Sequence, residues 1–452
     1  MSEIAEIPKG WEYITLGELF LIERGGSPRP IKDYITNSED GINWIKIGDT
    51  KGISKYIRST KEKIKATGLS KSRMVYEGDF ILSNSMSFGH PYIMKTTGCI
   101  HDGWLVIRTN SKSINIDYLY HCLSSPLVYH QFSNLAKGST VKNLNIDAVQ
   151  QVYVFIPPLP EQHRIVAKVE ELFSSLDKGI ESLKTAQAQL KTYRQAVLKW
   201  AFEGKLTNEN VNEGELPEGW RWVKLGGISE KITDGEHITP KRTSEGVYLL
   251  SARNVQNGFI SLKDVDFIPE SEYQRIIKRC NPEENDILIS CSGSVGRICR
   301  VPPKLRFTLV RSVALVKLDY QIHDSKYFQY LLLSPLLQSQ IEKGKKATAQ
   351  ANLFLGPIKN LEVLVCPLIE QHRIVTEIEI RLSVCEKLEE SISQSLAQAE
   401  ALRQSILKKA FEGKLVPQDP DDEPVGLLLE RIRAEREHNP SVKKIRNTRK
   451  KK

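Results

Sequence analysis

Several short motifs of this 452-residue sequence contain residue types that could carry chemistry, and each motif is incomplete. The Pro-Pro pairs in "IPPL" (156–159) and "VPPK" (301–304) lack the Asn, Asp or Ser before the pair, and the aromatic residue after it, that adenine methyltransferases need. The glycine turn "SGSVG" (292–296) lacks the strand–loop–helix frame of a phosphate cradle, and no G-x-x-x-x-G-K-[ST] motif occurs. The "EGK" sequences at 203–205 and 412–414 are predicted to end helices. The sequence therefore predicts no catalytic residues.

The histidines and cysteines do not form a metal-ligand pattern. His163 and His372 stand beside an arginine at the start of a predicted helix, without a second histidine or acid at ligand spacing, so we interpret them as capping or interface residues. The seven cysteines are dispersed and contain no C-x-x-C pair, which predicts a reducing cytosol and neither disulfides nor a zinc site. With no long apolar run and no apolar leader, we expect a cytoplasmic protein.

Side chains that could bind DNA are clustered in both halves of the sequence. Such side chains donate hydrogen bonds to base edges and phosphates. In the first half the candidates are Lys46, Asn84, Ser85, Ser87, His90, His101, Lys137, Thr140, Lys142 and Asn143. In the second half they are Arg253, Asn254, Ser292, Ser294, Arg297, Arg311, Lys345, Lys346, Gln350 and Asn352. Each one alone could be an ordinary surface group, and their clustering in both halves favours a DNA-binding hypothesis.

The net charge of +9 is concentrated at one end of the chain. The last twelve residues, "SVKKIRNTRKKK", carry seven basic groups and no acid, which leaves +2 for the other 440 residues. A DNA-binding face must therefore be a local patch. Two stretches qualify, with nine basic residues against two acids at 46–73 and six against none at 287–318. The basic tail itself is predicted to be a solvated arm.

The chain repeats itself at an offset of 209 residues. The sequence "EQHRIV" occurs at 161–166 and at 370–375, and "IPKGWEYITLGEL" (7–19) matches "LPEGWRWVKLGGI" (216–228). In the middle of the repeat, "GDFILSNSMSFG" and "NDILISCSGSVG" match only loosely, at an offset of 207. Similar ends and divergent middles predict one domain-plus-helix module used twice, with a common scaffold and two different readers.

Each repeat ends in a long amphipathic segment. Apolar residues recur at steps of three and four over about 40 residues, a pattern typical of a coiled coil. The predicted stripes are Ile165, Val169, Leu172, Leu176, Leu183, Leu190 and Val197, and Ile374, Ile378, Leu382, Leu388, Ile392, Leu396 and Ile406. Because a narrow stripe needs a partner and the second module returns the chain, we predict an antiparallel pair of helices, each roughly 60 Å long. Gly204 and Gly413 suit left-handed caps, and Gly179 marks either a close helix approach or a tolerated surface position.

The rest of the sequence consists of short apolar runs separated by turn residues. Runs such as "INWIKIG", "DFILS", "GVYLLSA" and "SVALVKL" predict strands, and 117–136 and 324–343 predict short helices. We therefore predict an α+β fold with two tandem mixed α/β domains and two long helices that form an antiparallel, pseudo-twofold symmetric coiled coil. The predicted parts are a first domain (1–156), a central helix (157–206), a second domain (207–365), a C-terminal helix (366–415) and an extension with a basic tail (416–452).

Four sets of sequences carry a family resemblance that covers essentially the whole chain. They are "LPEQHRIV" and "PLIEQHRIV", "AFEGKLT" and "AFEGKLVPQDP", the module starts "IPKGW" and "LPEGW", and "DDEPVGLLLERIRAER" (421–436). In this order and spacing the chain resembles the specificity subunit of type I restriction-modification enzymes.

The resemblance implies that each module is a target recognition domain for one half of an asymmetric, bipartite double-stranded DNA site. It implies that the paired helices set the gap between the half-sites and dock two methyltransferase (modification) subunits. Those subunits would bind S-adenosylmethionine, and restriction (translocase-nuclease) subunits would use ATP and Mg. The chain itself would be non-catalytic and hold no cofactor or metal. The alternative is a coiled-coil scaffold that binds proteins and not DNA; a self-sufficient enzyme is disfavoured by the missing motifs.

Overall fold

The computed structural model describes residues 7–53, 55–85, 88–108, 114–136, 143–208, 211–212, 214–345 and 351–438. The chain forms two compact units, Met1–Ser182 with Ser395–Lys452 and Leu183–Gln394. Each unit therefore contains one globular module, the start of one long helix and the end of the other.

The module of the first unit is a mixed α/β domain. Its strands are β1 (Glu12–Thr15), β2 (Leu21–Arg24), β3 (Ile35–Thr36), β4 (Ile42–Ile45), β5 (Tyr56–Ile57), β6 (Glu62–Ile64), β7 (Arg73–Val75), β8 (Phe80–Ser83), β9 (Pro91–Met94), β10 (Gly98–Ile100), β11 (Trp104–Arg108) and β12 (Tyr153–Ile156). Its helices are α1 (Leu16–Leu19), α2 (Ile116–Leu123), α3 (Pro126–Leu135) and α4 (Ile146–Gln150). Two five-stranded sheets have the orders β3-β6-β4-β10-β7 and β2-β11-β8-β9-β5, and β1 pairs antiparallel with β12.

The first long helix, α5 (Leu159–Phe202), follows and leads into the second module. The strands of this module are β13 (Arg221–Lys224), β14 (Ser229–Asp234), β15 (Val247–Leu250), β16 (Asp266–Ile268), β17 (Ile287–Ser290), β18 (Ile298–Arg300), β19 (Phe307–Leu309), β20 (Val313–Leu318) and β21 (Glu362–Val365). Its helices are α6 (Leu225–Ile228), α7 (Glu270–Ile276), α8 (Ser325–Leu333), α9 (Pro335–Gly344) and α10 (Leu355–Lys359). The sheets have the orders β14-β20-β17-β18 and β16-β15-β19, and β13 pairs with β21 as β1 does with β12. The chain continues as α11 (Leu368–Phe411) and α12 (Val425–His438).

The mixed α/β class predicted for both modules is confirmed. The helical stretches expected at 117–136 and 324–343 are each two helices, broken at Ser125-Pro126 and at Ser334-Pro335. Proline suits the first position of a helix and disfavours a helical residue before it. Each serine therefore starts a new helix, and its hydroxyl accepts a hydrogen bond from the backbone N–H three residues later.

The two long helices, of 44 residues each, pack with one another in opposite directions. In the first unit, Val169 at the start of α5 shares a core with Leu407 and Phe411 at the end of α11. In the second unit, Ala201 at the end of α5 shares a core with Ile378 at the start of α11. In both units a helix start lies against a helix end, so the predicted antiparallel pairing is confirmed.

Most members of the predicted stripe are buried or half-buried. Buried members are Ile165, Val169, Val197, Ile374, Ile378, Ile392 and Ile406, and half-buried members are Leu172, Leu176, Leu183, Leu190, Leu382 and Leu396. The exception is Leu388, which is 46% exposed. A helix advances about 100° per residue, so the line from Cys385 to Ile392 passes through Glu389. The prediction selected Leu388 because it is the apolar residue next to Glu389 in the sequence, and this prediction is wrong.

Charged residues also join the two helices, at matching positions within the stripes of the two units. In the second unit Arg194 of α5 pairs with Glu389 of α11 at 3.0 Å. In the first unit Arg403 of α11, which is offset by 209 residues from Arg194, pairs with Asp177 of α5 and covers the Phe173 ring at 4.4 Å. A long arginine stem packs on apolar neighbours while its head meets an acid. The pattern of apolar residues therefore omits charged residues that also join the two helices.

Three glycines of the long helices were given predicted roles, two as helix caps and one within the helix. Gly204 and Gly413 follow the last helical residues with φ of +76° and +69°, the left-handed conformation that ends a helix. Open space surrounds the position where a side chain would begin at Gly179. Gly179 is therefore a tolerated surface position and not a point of close approach.

Two further observations complete the fold. Within the described residues, none of the helices combines the length and apolar character needed to cross a membrane. All seven cysteines are buried thiols. Burial raises the pKa of Cys280, Cys291 and Cys299 to about 12, so these side chains pack as small neutral groups.

Candidate nucleic-acid interface

The repeated "EQHRIV" sequence attaches each long helix to its module through a buried glutamine. Gln162 accepts a hydrogen bond from the backbone N–H of Asn115 at 2.9 Å and donates one to the carbonyl of Pro157 at 2.9 Å. Gln371 makes the same two bonds, with Asp324 N–H and with the Cys366 carbonyl, both at 2.8 Å. Both glutamines are fully buried. The repeat therefore preserves a scaffold joint that fixes the module on its helix.

The histidines of the same motif also serve this joint. Asn115 and Asp324 cap α2 and α8 by accepting backbone hydrogen bonds. His163 contacts Asn115 at 2.9 Å, and His372 lies 3.2 Å from Asp324. Both histidines thus lie beside a helix cap, which agrees with their interpretation as capping or interface residues.

We expect Gln162→Leu to lower the free energy of unfolding by about 2–6 kcal/mol. Leucine keeps the side-chain size but leaves a backbone N–H and a carbonyl without partners, at about 1–3 kcal/mol each. Urea denaturation of the full chain measures the change. Gln187→Leu, at an exposed position of the same helix, is the matched control and should change stability by less than about 0.5 kcal/mol. Equal effects of the two substitutions would contradict a structural role for Gln162.

Each module presents a hairpin loop of the same construction with different residues. The described residues of the first hairpin loop (84–85 and 88–89) lie between β8 and β9, and the second hairpin loop (291–296) joins β17 to β18. The hydroxyls of Ser83 and Ser290 close the loops by accepting hydrogen bonds from the backbone N–H groups of His90 and Arg297, at 3.0 and 2.8 Å. The loose match in the middle of the repeat is thus one loop framework with two sets of side chains.

A second chain segment lies against each hairpin loop. Leu144 N–H donates to the Asn84 carbonyl at 2.8 Å, and Leu353 N–H donates to the Cys291 carbonyl at 2.9 Å. Isolated bridges join Ser85 to Asn143 and Ser292 to Asn352. Four predicted DNA-binding residues are therefore brought together in two equivalent pairs. We call residues 84–85 and 88–89 with 143–144 the first loop edge, and 291–296 with 352–353 the second loop edge.

The second loop edge borders a cleft of about 560 Å³. Three predicted residues line it: Ser292, Arg311 and Asn352. The guanidinium of Arg311 makes no ion pair or hydrogen bond with the described residues, and the side chain is exposed. Arg311 therefore offers a fork of donors suited to guanine or to phosphate.

The same cleft contains residues that the sequence reasoning missed. His237 lies 2.7 Å from the carboxylate of Asp234, which also pairs with Arg279 at 2.6 Å. Phe354 lines the cleft with its ring 53% exposed. Phe354 could have been noticed from the sequence as an aromatic residue two positions after the candidate Asn352. His237 is far from the other lining residues in the sequence, and only the fold brings it to the cleft.

In the first module the position equivalent to Arg311 is occupied by Asp102. Gly25 N–H donates to the Trp104 carbonyl at 2.9 Å and Gly235 N–H to the Val313 carbonyl at 3.2 Å, which aligns the two loops at the 209-residue offset. Asp102 accepts the Ser27 hydroxyl at 2.7 Å, and this bond holds the pKa of the carboxyl below its usual range. Burial lowers the pKa of the neighbouring His101. The first module therefore has an acid, 3.6 Å from the Arg29 guanidinium, at the place where the second module has an arginine.

Other predicted DNA-binding residues are engaged within the fold. Lys46 pairs with Glu62, Lys345 with Glu342, and Arg253 with Asp266. The amides of Asn84 and Asn254 are buried, and each holds backbone groups of neighbouring loops. His90, Ser294 and Arg297 belong to the two hairpins, where His90 and Ser294 are exposed and Arg297 is half-buried. Ser87, Lys137, Thr140, Lys142, Lys346 and Gln350 lie outside the described residues.

The fold and its two loop edges define a duplicated α/β recognition protein, in which one scaffold carries two different sets of exposed donors. The sequence matches the family described as "Type I restriction modification DNA specificity domain" twice, at residues 8–192 and 217–398. The chain belongs to this family, and the resemblance inferred from the sequence motifs is confirmed.

Individual relatives are similar along almost their whole length. The chain is 27% identical to the type I restriction enzyme EcoBI specificity subunit of Escherichia coli, over 96% of this chain and 94% of that protein. It is 24% identical to the EcoKI specificity subunit of Escherichia coli strain K12, over 95% and 96%.

Two solved structures share the fold. One, described as "Structural basis underlying complex assembly and conformational transition of the type I R-M system", has a TM-score of 0.70 and 22% identity over 90% of this chain and 99% of that chain. The HsdS subunit from Thermoanaerobacter tengcongensis has a TM-score of 0.56 and 21% identity, over 91% and 99%.

Proposed function

We propose that this chain is the DNA-specificity subunit of a type I restriction-modification complex, and that each module reads one half of an asymmetric, bipartite double-stranded site. The observation that carries the proposal is the pair of loop edges, which have one framework and different side chains. Two identical readers would select a symmetric site. Asp102 in one module and Arg311 in the other favour different bases, since carboxylates accept from cytosine and arginine donates to guanine.

Affinity and sequence selection are assigned to different residues in this proposal. Basic residues around the loop edges neutralise phosphates, and this contribution is independent of sequence and weakens as salt rises. Exposed donors of the loop edges contact the base edges. Arg311 is the first candidate for such a base contact, because no described residue engages its guanidinium.

The long helices have two roles in the proposed complex. As paired rods of about 66 Å they set the gap between the half-sites, and they dock two methyltransferase subunits. Restriction subunits complete the complex in the cytoplasm. S-adenosylmethionine, ATP and Mg belong to these partners, and the chain itself is non-catalytic, in line with relatives that are named specificity subunits.

Footprinting of the complex reconstituted with its methyltransferase subunits tests the proposal. We expect two protected blocks of different sequence separated by an unread gap, with weaker protection by the chain alone. The control is the same complex on DNA with one half-site scrambled, where one block should disappear. A single continuous block, or protection independent of sequence, would contradict the proposal.

A further inference from the structure

The repeated motif places an arginine at the start of each long helix, and the two arginines differ in their surroundings. In the first unit Arg164 pairs with Asp422 at 2.6 Å, and the Asp422 side chain is only 8% exposed. Val425, Leu428 and Leu429 of α12 are buried in the core of the same unit. The C-terminal extension of the chain therefore covers the start of α5 with an acidic turn followed by leucines.

The equivalent place in the second unit is open. Arg373, offset by 209 residues from Arg164, is 60% exposed and pairs with Glu370 of its own helix at 3.0 Å. Ile369 is 78% exposed, the highest value among the large hydrophobic side chains of the described residues. These two side chains line a cleft of about 560 Å³ together with residues 205–208, His372, Thr376 and Glu377. We call it the helix-start cleft.

The difference follows from the order of the chain. After α11 the chain continues into the acidic "DPDDEPVGLLLE" sequence (419–430) that forms the turn and α12. After α5 it continues through 203–216 directly into the second module, so no matching extension exists there. Two equivalent helix starts thus share one extension.

We propose that the helix-start cleft binds an acidic, leucine-bearing helical segment of a partner protein, with the chemistry of residues 419–430 of this chain. Arg373 binds a carboxylate of the partner segment, as Arg164 binds Asp422 in the first unit. Lys205 and His372 line the same cleft. Ile369 packs against the leucines of the partner segment. Covering its exposed apolar surface stabilises the complex by about 25 cal/mol for each Å² removed from water. The inference does not rest on DNA recognition.

A fluorescent peptide with the sequence of residues 417–438 is the probe, added to the full chain without DNA. In the full chain the first unit is covered by its own extension, so we expect one peptide to bind per chain. Arg373→Glu should weaken binding at least tenfold, and the Asp422→Lys peptide should bind the wild type weakly and recover on the Arg373→Glu chain. Lys241→Glu, the same charge change at an exposed site outside the cleft, is the control and should leave binding unchanged.

Three results would overturn the inference. The first is no peptide binding, or binding that Arg373→Glu leaves unchanged. The second is a dimer of the full chain, seen by sedimentation, that Arg373→Glu dissociates, because the occupant would then be a second copy. The third is a loss of DNA affinity in Arg373→Glu without any peptide binding, which would assign the cleft to phosphate. The peptide assay contains no DNA, so its result can be interpreted even if the proposed DNA recognition proves wrong.

Discussion

Replacing Arg311 by alanine is expected to weaken binding of the reconstituted complex to its target by about 10- to 100-fold. A guanidinium that contacts a base edge with two hydrogen bonds contributes about 1–3 kcal/mol of discrimination. No described residue engages this guanidinium, so its removal breaks no internal contact. The loss should be confined to one half-site, and base substitutions in that half should then cost less than they do with the wild type. Fluorescence anisotropy on targets with single base changes, at fixed salt, measures both effects.

The matched control is Lys224→Ala, which removes a positive charge from an exposed strand position of the same unit that does not line the cleft. It should reduce affinity slightly and equally for all sequences. If Arg311→Ala also reduced affinity equally for all sequences, the residue would be a phosphate contact. A base-reading role for the second loop edge would then lack its main candidate.

Inserting four helix-forming residues into both long helices is expected to abolish tight binding to the original target and create a new one. Insertions after Thr185 and after Leu396 lie midway between the two ion-paired positions of each helix. Each insertion adds about 6 Å, so the preferred gap should grow by about one to two base pairs while both half-site sequences stay the same. Affinity for the original target should fall toward the non-specific level, by about 10³-fold or more.

Selection from a DNA library with random gap lengths identifies the new target. The control carries the insertion in one helix only, which mismatches the two stripes and should weaken binding to every gap length. An unchanged gap with altered half-site sequences would refute the role of the helices as a ruler.

Local sequence pattern was enough to identify many elements of the fold. The strands read from "DFILS" and "SVALVKL" are β8 and β20, because short, mainly apolar runs of this length suit buried strands. The helix ends at Gly204 and Gly413 were also readable, since a left-handed residue after a helical stripe favours glycine. The prediction of Leu388 as a member of the stripe was wrong. The stripe passes through the neighbouring Glu389, which pairs with Arg194 on the other helix. An apolar pattern cannot identify such a charged member and selects the adjacent leucine.

The candidate site was only partly predictable. Ser85, Asn143, Ser292 and Asn352 were chosen for their residue types, and the fold joins them in two bridges. Residue type alone could not separate Arg311 from Arg253, because both are arginines in a predicted recognition domain. Only the structure shows Asp266 beside Arg253. His237 was missed because its position in the cleft depends on the pairing of β14 with β20.

The sequence by itself determined that this protein is a module used twice, with a preserved helix-start motif and divergent middles, since repetition and helical periodicity are properties of the order of residues. The tertiary structure alone decided which donors are exposed, which charges neutralise one another, and that one of two equivalent arginines is covered by the chain's own extension. The physical reason is distance: ion pairs such as Arg164 with Asp422 join residues far apart in the chain, and no local pattern encodes such partners.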